Sequence, residues 1–136
     1  MRCLLDTCAF LWFVDENPQL NEEAYNRIEE ADEVYLSIAS VWEMGIKIKK
    51  GEMTGKQELV LSKPLKEFIP EHLEKNNIQL LPIEVRHVAA MMDLAFHHKD
   101  PFDRIIIAQG IVEEMCVISD DENFPLYPVK HINARR

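Results

Sequence analysis

The stretch MRCLLDTCAF (residues 1–10) begins the chain with a short apolar run that ends in an acid, Asp6. A short continuous apolar run is typical of a strand buried on both faces of a parallel sheet. A carboxylate at the end of such a strand costs several kcal/mol unless it is paired, hydrogen-bonded or bound to a metal. The stretch therefore predicts a buried first strand and demands a reason for the acid at its carboxyl end.

Outward from this stretch, strand-like runs alternate with helical segments. Strands are predicted in RCLLD (2–6), EVYLSIA (33–39), IQLLPI (78–83), CVISD (116–120) and VKHI (129–132). Helices are predicted in CAFLWFV (8–14), QLNEEAYNRIEEA (19–31), SVWEMGIKIKKGEM (40–53, ending near Gly51), KPLKEFIPEHLEKNN (63–77, broken at Pro70), EVRHVAAMMDLAFHH (84–98) and DPFDRIIIAQGIVEEM (100–115). This alternation predicts βαβ units and an α/β fold whose parallel sheet is covered on both faces.

The composition is that of an ordinary globular protein. With 136 residues, 47% of them apolar and 29% charged, we expect residues 1–136 to form a single domain. Cys3, Cys8 and Cys116 lie among apolar neighbours, which indicates core residues rather than a disulfide framework. Because neither a signal peptide nor a membrane-length apolar run is evident, we expect a cytoplasmic protein with no membrane partner.

The formal net charge of −9 argues against a protein that holds nucleic acid by bulk attraction, since that role normally requires a Lys/Arg surface. Clustered carboxylates that bind divalent cations nevertheless invert their local potential. An acidic total is therefore compatible with a site that attracts phosphates once metal is bound.

The acids have a common place in the predicted fold. Asp6 and the pair Asp120–Asp121 follow buried strands, and Glu43 and Asp103 fall in the first turns of helices. In open α/β sheets, ligands bind outside the carboxyl ends of the strands. Carboxylates that converge there without basic partners need a cation, and hard oxygen ligands favour Mg²⁺ or Mn²⁺. The sequence predicts such a site, whose chemistry suits phosphodiester hydrolysis.

Each acid also has a purely structural interpretation. Ser40 and Glu43 have the spacing of a helix capping box. Asp100, followed by proline, is a good N-cap, and Asp103 suits the first turn by its charge. Residues 120–123 are compatible with a solvated loop. Structural burial of Asp6 requires a pair or hydrogen bonds for its carboxylate and is less favoured than metal binding. From the residues alone these alternatives stay open.

Four segments resemble the signature blocks of the PIN-domain ribonucleases, in the branch of the VapC-type toxins of bacterial toxin–antitoxin pairs. They are LLDTCAFLW (4–12), the segment from Ser37 to Gly51, HHKDPFDRIIIAQG (97–110) and VISDDENFPLYPV (117–129). The resemblance extends from Arg2 to about Ile132. It implies a three-layer α/β/α domain with a central, mainly parallel sheet, a Mg²⁺ or Mn²⁺ site and endonucleolytic cleavage of RNA. It further implies a homodimer and an antitoxin whose basic arm enters the acidic groove.

By the same resemblance, the catalytic and metal-binding acids of the family fall on Asp6, Glu43, Asp103 and Asp121. Asp121 is preferred over Asp120 because the family has Ser/Thr, any residue, then Asp. The supporting positions around the metal ligands are Thr7, Ser119, Asp100 and Asp120. We expect Asp6 and Asp103 to bind the principal metal directly.

The basic residues give weaker signals. Lys47 and Lys49, with Lys50 and Lys56, form a cluster near Glu43 that is either a solvated helix end or a track for RNA phosphates. Arg104 is a further candidate RNA contact, although an ion pair with a neighbouring acid is the favoured interpretation. His97 and His98 are expected to end a helix, and their spacing from the acids is not that of a zinc site.

Two other functional classes share some of these features. A receiver domain also places acids at strand ends around Mg²⁺, but it needs an acidic pair after the first strand, where this chain has only Asp6 followed by Thr7. A PIN fold kept as a non-catalytic regulatory module is the other alternative. The presence of all four acids gives that second alternative no support.

Overall fold

The computed structural model describes residues 1–50, 53–54, 57–58 and 61–136. Its strands are β1 (Arg2–Leu5), β2 (Glu33–Ser37), β3 (Met53–Thr54), β4 (Gln57–Glu58), β5 (Ile78–Leu81), β6 (Cys116–Ser119) and β7 (His131–Asn133). Its helices are α1 (Thr7–Val14), α2 (Glu22–Glu30), α3 (Ile38–Lys50), α4 (Leu65–Asn76), α5 (Val85–Met92) and α6 (Pro101–Glu113), and Phe124–Leu126 form a 3-10 turn. Within the described ranges, no helix has the length and apolar character needed to cross a membrane.

The main sheet has five strands in the order β5-β2-β1-β6-β7, and each neighbouring pair in it is parallel. The short strands β3 and β4 form a separate antiparallel pair. The parallel sheet predicted from the alternation of strands and helices is thereby confirmed. Because β1 and β6 are neighbours near the middle, their carboxyl ends lie side by side at one edge of the sheet.

Helices cover both faces of this sheet. Cys3 and Leu5 of β1 pack into a hydrophobic cluster with α1, α2 and α4, whereas Leu4 packs into a second cluster with α6. Successive residues of a strand point to opposite faces, so one buried strand supplies both clusters. The three-layer α/β/α architecture is confirmed. Cys3 and Cys116 are buried free thiols, as expected for core cysteines.

Helix α3 begins earlier than predicted. It starts at Ile38, and the Ser37 hydroxyl accepts a hydrogen bond from the Ala39 N–H at 3.0 Å. The capping box of Ser40 and Glu43 is therefore wrong, because both residues lie inside the helix. Glu43 moves to the second turn. Two further sequence positions, Gly51 and Lys56, lie outside the described residues.

Helix α4 continues through Pro70, where a break was predicted. Proline removes one main-chain donor and leaves a carbonyl of the preceding turn without its partner. Pro70 is exposed, so water can hydrate that carbonyl, while Phe68 and Ile69 are buried and hold the helix against the sheet.

Helix α5 ends at Met92, six residues before the predicted end. The physical cause is Arg104, whose guanidinium donates to carbonyl oxygens that a longer helix would use for itself, those of Met91 (3.2 Å), Leu94 (3.4 Å) and Ala95 (3.0 Å). Met92, the last residue of the helix, is 75% exposed. Residues 93–100 become a connection that leads to α6.

Candidate metal centre

Asp6 lies directly after β1 and caps α1. Its Oδ1 accepts a hydrogen bond from the Ala9 N–H at 2.8 Å, and its own N–H donates to the Ile118 carbonyl of β6 at 3.1 Å. The residue is 5% exposed. Capping accounts for one carboxylate oxygen, and it fixes the side chain at the edge where β1 and β6 end.

Glu43 is 6% exposed and is held from two sides. The Thr7 hydroxyl donates to Oε1 at 2.6 Å, and the Lys47 ammonium pairs with Oε2 at 3.0 Å. Thr7 is the first residue of α1, so this contact joins α3 to the helix that Asp6 caps. Thr7 therefore lies beside the acids, where the resemblance implied a supporting hydroxyl.

Asp100 and Asp103 have different roles at the start of α6. Asp100 is the N-cap, with Oδ1 accepting from the Phe102 N–H at 2.9 Å, as its structural interpretation predicted. Asp103, in the first turn, has a side chain that is only 18% exposed and lies near the other acids. A favourable helix start and a position in a shared site are thus compatible in one segment.

Asp120 and Asp121, which follow β6, have different partners. Asp120 forms an ion pair with Arg135 at 2.7 Å. Asp121 donates its N–H to the Ser119 hydroxyl at 3.0 Å, and its Oδ1 accepts from the Asn123 N–H at 2.7 Å. These two bonds define a turn that leaves Oδ2 of Asp121 facing the start of α6.

The charges of these acids act on one another. Burial raises the pKa of Asp6 to about 7, with the charges of Asp120 and Glu43 adding to it, although hydrogen bonds from the Ala9 N–H and the Ser119 hydroxyl oppose the rise. Burial also raises the pKa of Asp103 to about 8, and the charges that add to it are those of Asp100, Asp6, Glu43 and Asp121. We call Asp6, Glu43, Asp103 and Asp121 the acidic cluster.

His98 belongs to the same place. Its Nε2 lies 2.8 Å from Oδ2 of Asp121 and 3.0 Å from Oδ2 of Asp103, and its side chain is 11% exposed. The sequence did not reveal this contact, because a helix was predicted through residue 98 and His98 was interpreted as a cation at the end of that helix. The signal was its position in HHKDPFDR, directly before the N-cap of α6.

The acidic cluster fits a hard divalent cation. Its ligand atoms are carboxylate oxygens, the donor type of Mg²⁺ and Mn²⁺ sites. The raised pKa values of Asp6 and Asp103 show that burial and mutual repulsion disfavour the ionised cluster, a cost that a bound cation offsets. Which of the four acids ligate the cation directly stays a prediction.

The basic candidates differ in their availability. Lys47 is paired with Glu43, and Lys49 is exposed near the end of α3. Arg104 does not form the expected ion pair in the part of the chain that the structure describes; it donates to carbonyls and its guanidinium stacks on Phe96 at 5.1 Å. Its partners are those of a structural residue.

A second group of possible ligands, Glu84, His87 and Glu113, joins α5 to the end of α6. His87 Nδ1 accepts from the Glu84 N–H at 2.9 Å, and its Nε2 lies 2.8 Å from Glu113 Oε2. Arg86 pairs with Glu84 at 2.8 Å and with Glu113 at 2.5 Å. Because Arg86 already compensates both carboxylates, this group serves as a link between helices.

Comparisons with known proteins agree with this fold. The family profile of the PIN domain matches residues 3–130. Among solved structures, VapBC2 from Rickettsia felis bound to a DNA fragment from its promoter is similar over 98% of this chain and 99% of that chain, with 15% identity and a TM-score of 0.68. FitAcB from Neisseria gonorrhoeae is similar over 96% of both chains, with 22% identity and a TM-score of 0.63.

A third structure, VapBC-5 from Mycobacterium tuberculosis, a member of a family of toxin–antitoxin systems, is similar over 99% of this chain and 98% of that chain. Its identity is 17% and its TM-score 0.59. At such identities the likeness shows a shared fold. None of the curated proteins compared with the sequence matches it.

Proposed function

Because the chain belongs to the PIN-domain family, we propose that it is a Mg²⁺- or Mn²⁺-dependent endoribonuclease and the toxin of a toxin–antitoxin pair. The observation that carries the enzymatic part is the convergence of the acidic cluster at the carboxyl edge of a parallel sheet. Asp6 and Asp103, both buried, have pKa values raised to about 7 and about 8, which is the electrostatic signature of a site arranged for a cation.

Each acid has a role in this proposal. Asp6 and Asp103 would hold the cation, and Glu43 and Asp121 would support it or hold a second one. When bound, the cation would lower the pKa of the attacking water and neutralise charge on the phosphate. Thr7 and Lys47 each bind one oxygen of Glu43, so the orientation of this carboxylate is fixed.

The substrate path follows α3. Lys47 lies beside Glu43 and Lys49 is exposed further along the same helix, so RNA phosphates that leave the acidic cluster along α3 meet two cations. Arg104 is excluded from this path because its guanidinium is bound to carbonyls. The proposal therefore assigns RNA contacts to Lys47 and Lys49 only.

The partner part rests on a neighbouring surface of α3, which shares Lys49 with the proposed RNA path. Phe10, Trp12 and Phe13 lie in the core, but Trp42 is 61% exposed and packs edge-on against Phe102 at 5.0 Å. Trp42 lines an apolar groove of about 550 Å³ between α3 and Leu65 of α4. We assign this groove to an antitoxin segment, in line with the toxin–antitoxin complexes among the similar structures. We further propose that the toxin forms a homodimer.

The decisive experiment is cleavage of a panel of single-stranded RNAs with Mn²⁺ or Mg²⁺. Cleavage should be lost with a chelator and in Asp103→Asn, which keeps the shape of the side chain but removes its charge. Mn²⁺ binding without cleavage of any RNA would favour the non-catalytic PIN module. Cleavage that persists in chelator would contradict the metal-dependent mechanism.

A further inference from the structure

His98 is held in place by contacts other than those with the acids. The hydroxyl of Tyr127, a residue that is 5% exposed, accepts the main-chain N–H groups of both His97 and His98 at 2.9 Å. The imidazole packs edge-on against the buried ring of Phe124 at 6.3 Å. The main-chain hydrogen bond and the contact with Phe124 therefore hold His98 in place. The hydrogen bonds of its two ring nitrogens then determine how the imidazole is oriented.

The hydrogen bonds of the ring determine where its proton lies. Nδ1 accepts the Asp100 N–H at 3.1 Å, so this nitrogen carries a lone pair rather than a proton. A neutral imidazole has one N–H, and here it must be on Nε2. Nε2 then points a proton at Asp121 and Asp103, the opposite of what a metal ligand presents, because a ligating nitrogen needs its own lone pair free.

The two acids that share this donor belong to different elements. Asp103 is in the first turn of α6, whereas Asp121 is in the turn after β6. Their carboxylate oxygens lie within 4.8 Å of each other and repel when both are charged, and one N–H between them offsets part of this repulsion. Each carboxylate oxygen has two lone pairs, so it can accept from Nε2 and still offer a lone pair to a cation.

We propose that His98 is a positioning residue of the metal centre, which holds Asp103 and Asp121 together by donating Nε2–H to both and does not itself ligate the cation. This inference rests on the proposed metal site. Asp100 gains a second task in it, since its side chain caps α6 and its N–H sets the tautomer of His98. The motif HHKDPFDR thus specifies a donor, its orientation and a ligand in one segment.

The test is Mn²⁺ affinity, measured by calorimetry on wild type, His98→Ala and His98→Gln. Loss of a donor to a ligating carboxylate commonly weakens metal binding by about 10- to 100-fold, which is the effect expected for His98→Ala. In His98→Gln the amide nitrogen can take the place of Nε2 as a donor, so most of the affinity should return. His97→Ala is the matched control, because His97 is exposed and its ring packs on Tyr127 rather than near the acids.

The tautomer is tested separately by ¹⁵N NMR of the imidazole with and without Mg²⁺. We expect the Nε2–H form in both states; a proton that moves to Nδ1 on addition of Mg²⁺ would make His98 a ligand and overturn the proposal. Unchanged or tighter Mn²⁺ binding in a folded His98→Ala would overturn it as well, while leaving the proposed function intact. Failure of wild type to bind Mn²⁺ would instead refute both, and thermal unfolding verifies that each variant is folded.

Discussion

Two adjacent acids after β6 differ in their partners, and this difference predicts their contributions. Asp121 faces His98 and Asp103, whereas Asp120 is paired with Arg135 at 2.7 Å. We expect Asp121→Asn to lower kcat/KM for RNA cleavage by about 100-fold or more, in the upper range for residues that support a metal site. Asp120→Asn should stay within about threefold of wild type, since it removes one charge that acts on Asp6 from outside the acidic cluster.

Cleavage assays on the two variants, with Mn²⁺ in excess, give the comparison. Equal losses in both would mean that the total charge matters more than the geometry. A larger loss in Asp120→Asn would move the fourth acid to position 120. The sequence predicted that Asp6, Glu43, Asp103 and Asp121 share one edge of the sheet, and the structure places them close enough for their charges to act on Asp103. Their roles stay predictions. The sequence could not predict His98, whose role depends on the end of a helix that the local pattern extended too far.

The alternation of apolar runs predicted each helix and each strand of the main sheet, since burial on both faces leaves a clear signal, but it did not predict the short strands β3 and β4. The other errors were at boundaries set by tertiary contacts. Arg104 ends α5 from another helix, and burial of Phe68 and Ile69 carries α4 past Pro70. Neither contact is visible in the local pattern.

Arg104 stabilises the connection between α5 and α6. It joins the end of α5 to α6 through carbonyls spaced for a planar fork, which a lysine ammonium cannot match. We expect Arg104→Lys to lower the free energy of unfolding by about 1.5–3 kcal/mol, the usual net contribution of a hydrogen bond to a charged group. Urea unfolding measures this loss. RNA affinity of the folded variant should be unchanged, and weaker RNA binding at full stability would restore Arg104 as an RNA contact.

At the scale of the whole molecule, the acidic cluster makes stability depend on pH and on metal. The pKa values of Asp6 and Asp103 rise from 3.8 to about 7 and about 8 in the folded protein, with burial as the largest cause. The folded state therefore holds protons that the unfolded chain has released. The stabilisation that protonation of Asp6 and Asp103 contributes is complete below their unfolded pKa of 3.8, and it is lost as pH rises through their folded pKa values.

In chelator, these two groups should make the free energy of unfolding fall between about pH 5 and pH 8, with a slope that approaches about 1.4 kcal/mol per pH unit for each group. Asp103→Asn mimics the protonated side chain, so its stability relative to wild type should increase across this range. Denaturant unfolding at several pH values measures that difference, in which contributions from titrating groups that do not interact with Asp103 cancel. Saturating Mg²⁺ should reverse the order at pH 8, because wild type gains the binding energy of the cation and the variant loses a ligand. A stability difference between Asp103→Asn and wild type that does not vary with pH would mean that Asp103 is ionised in the metal-free fold. Burial would then not raise the pKa of Asp103.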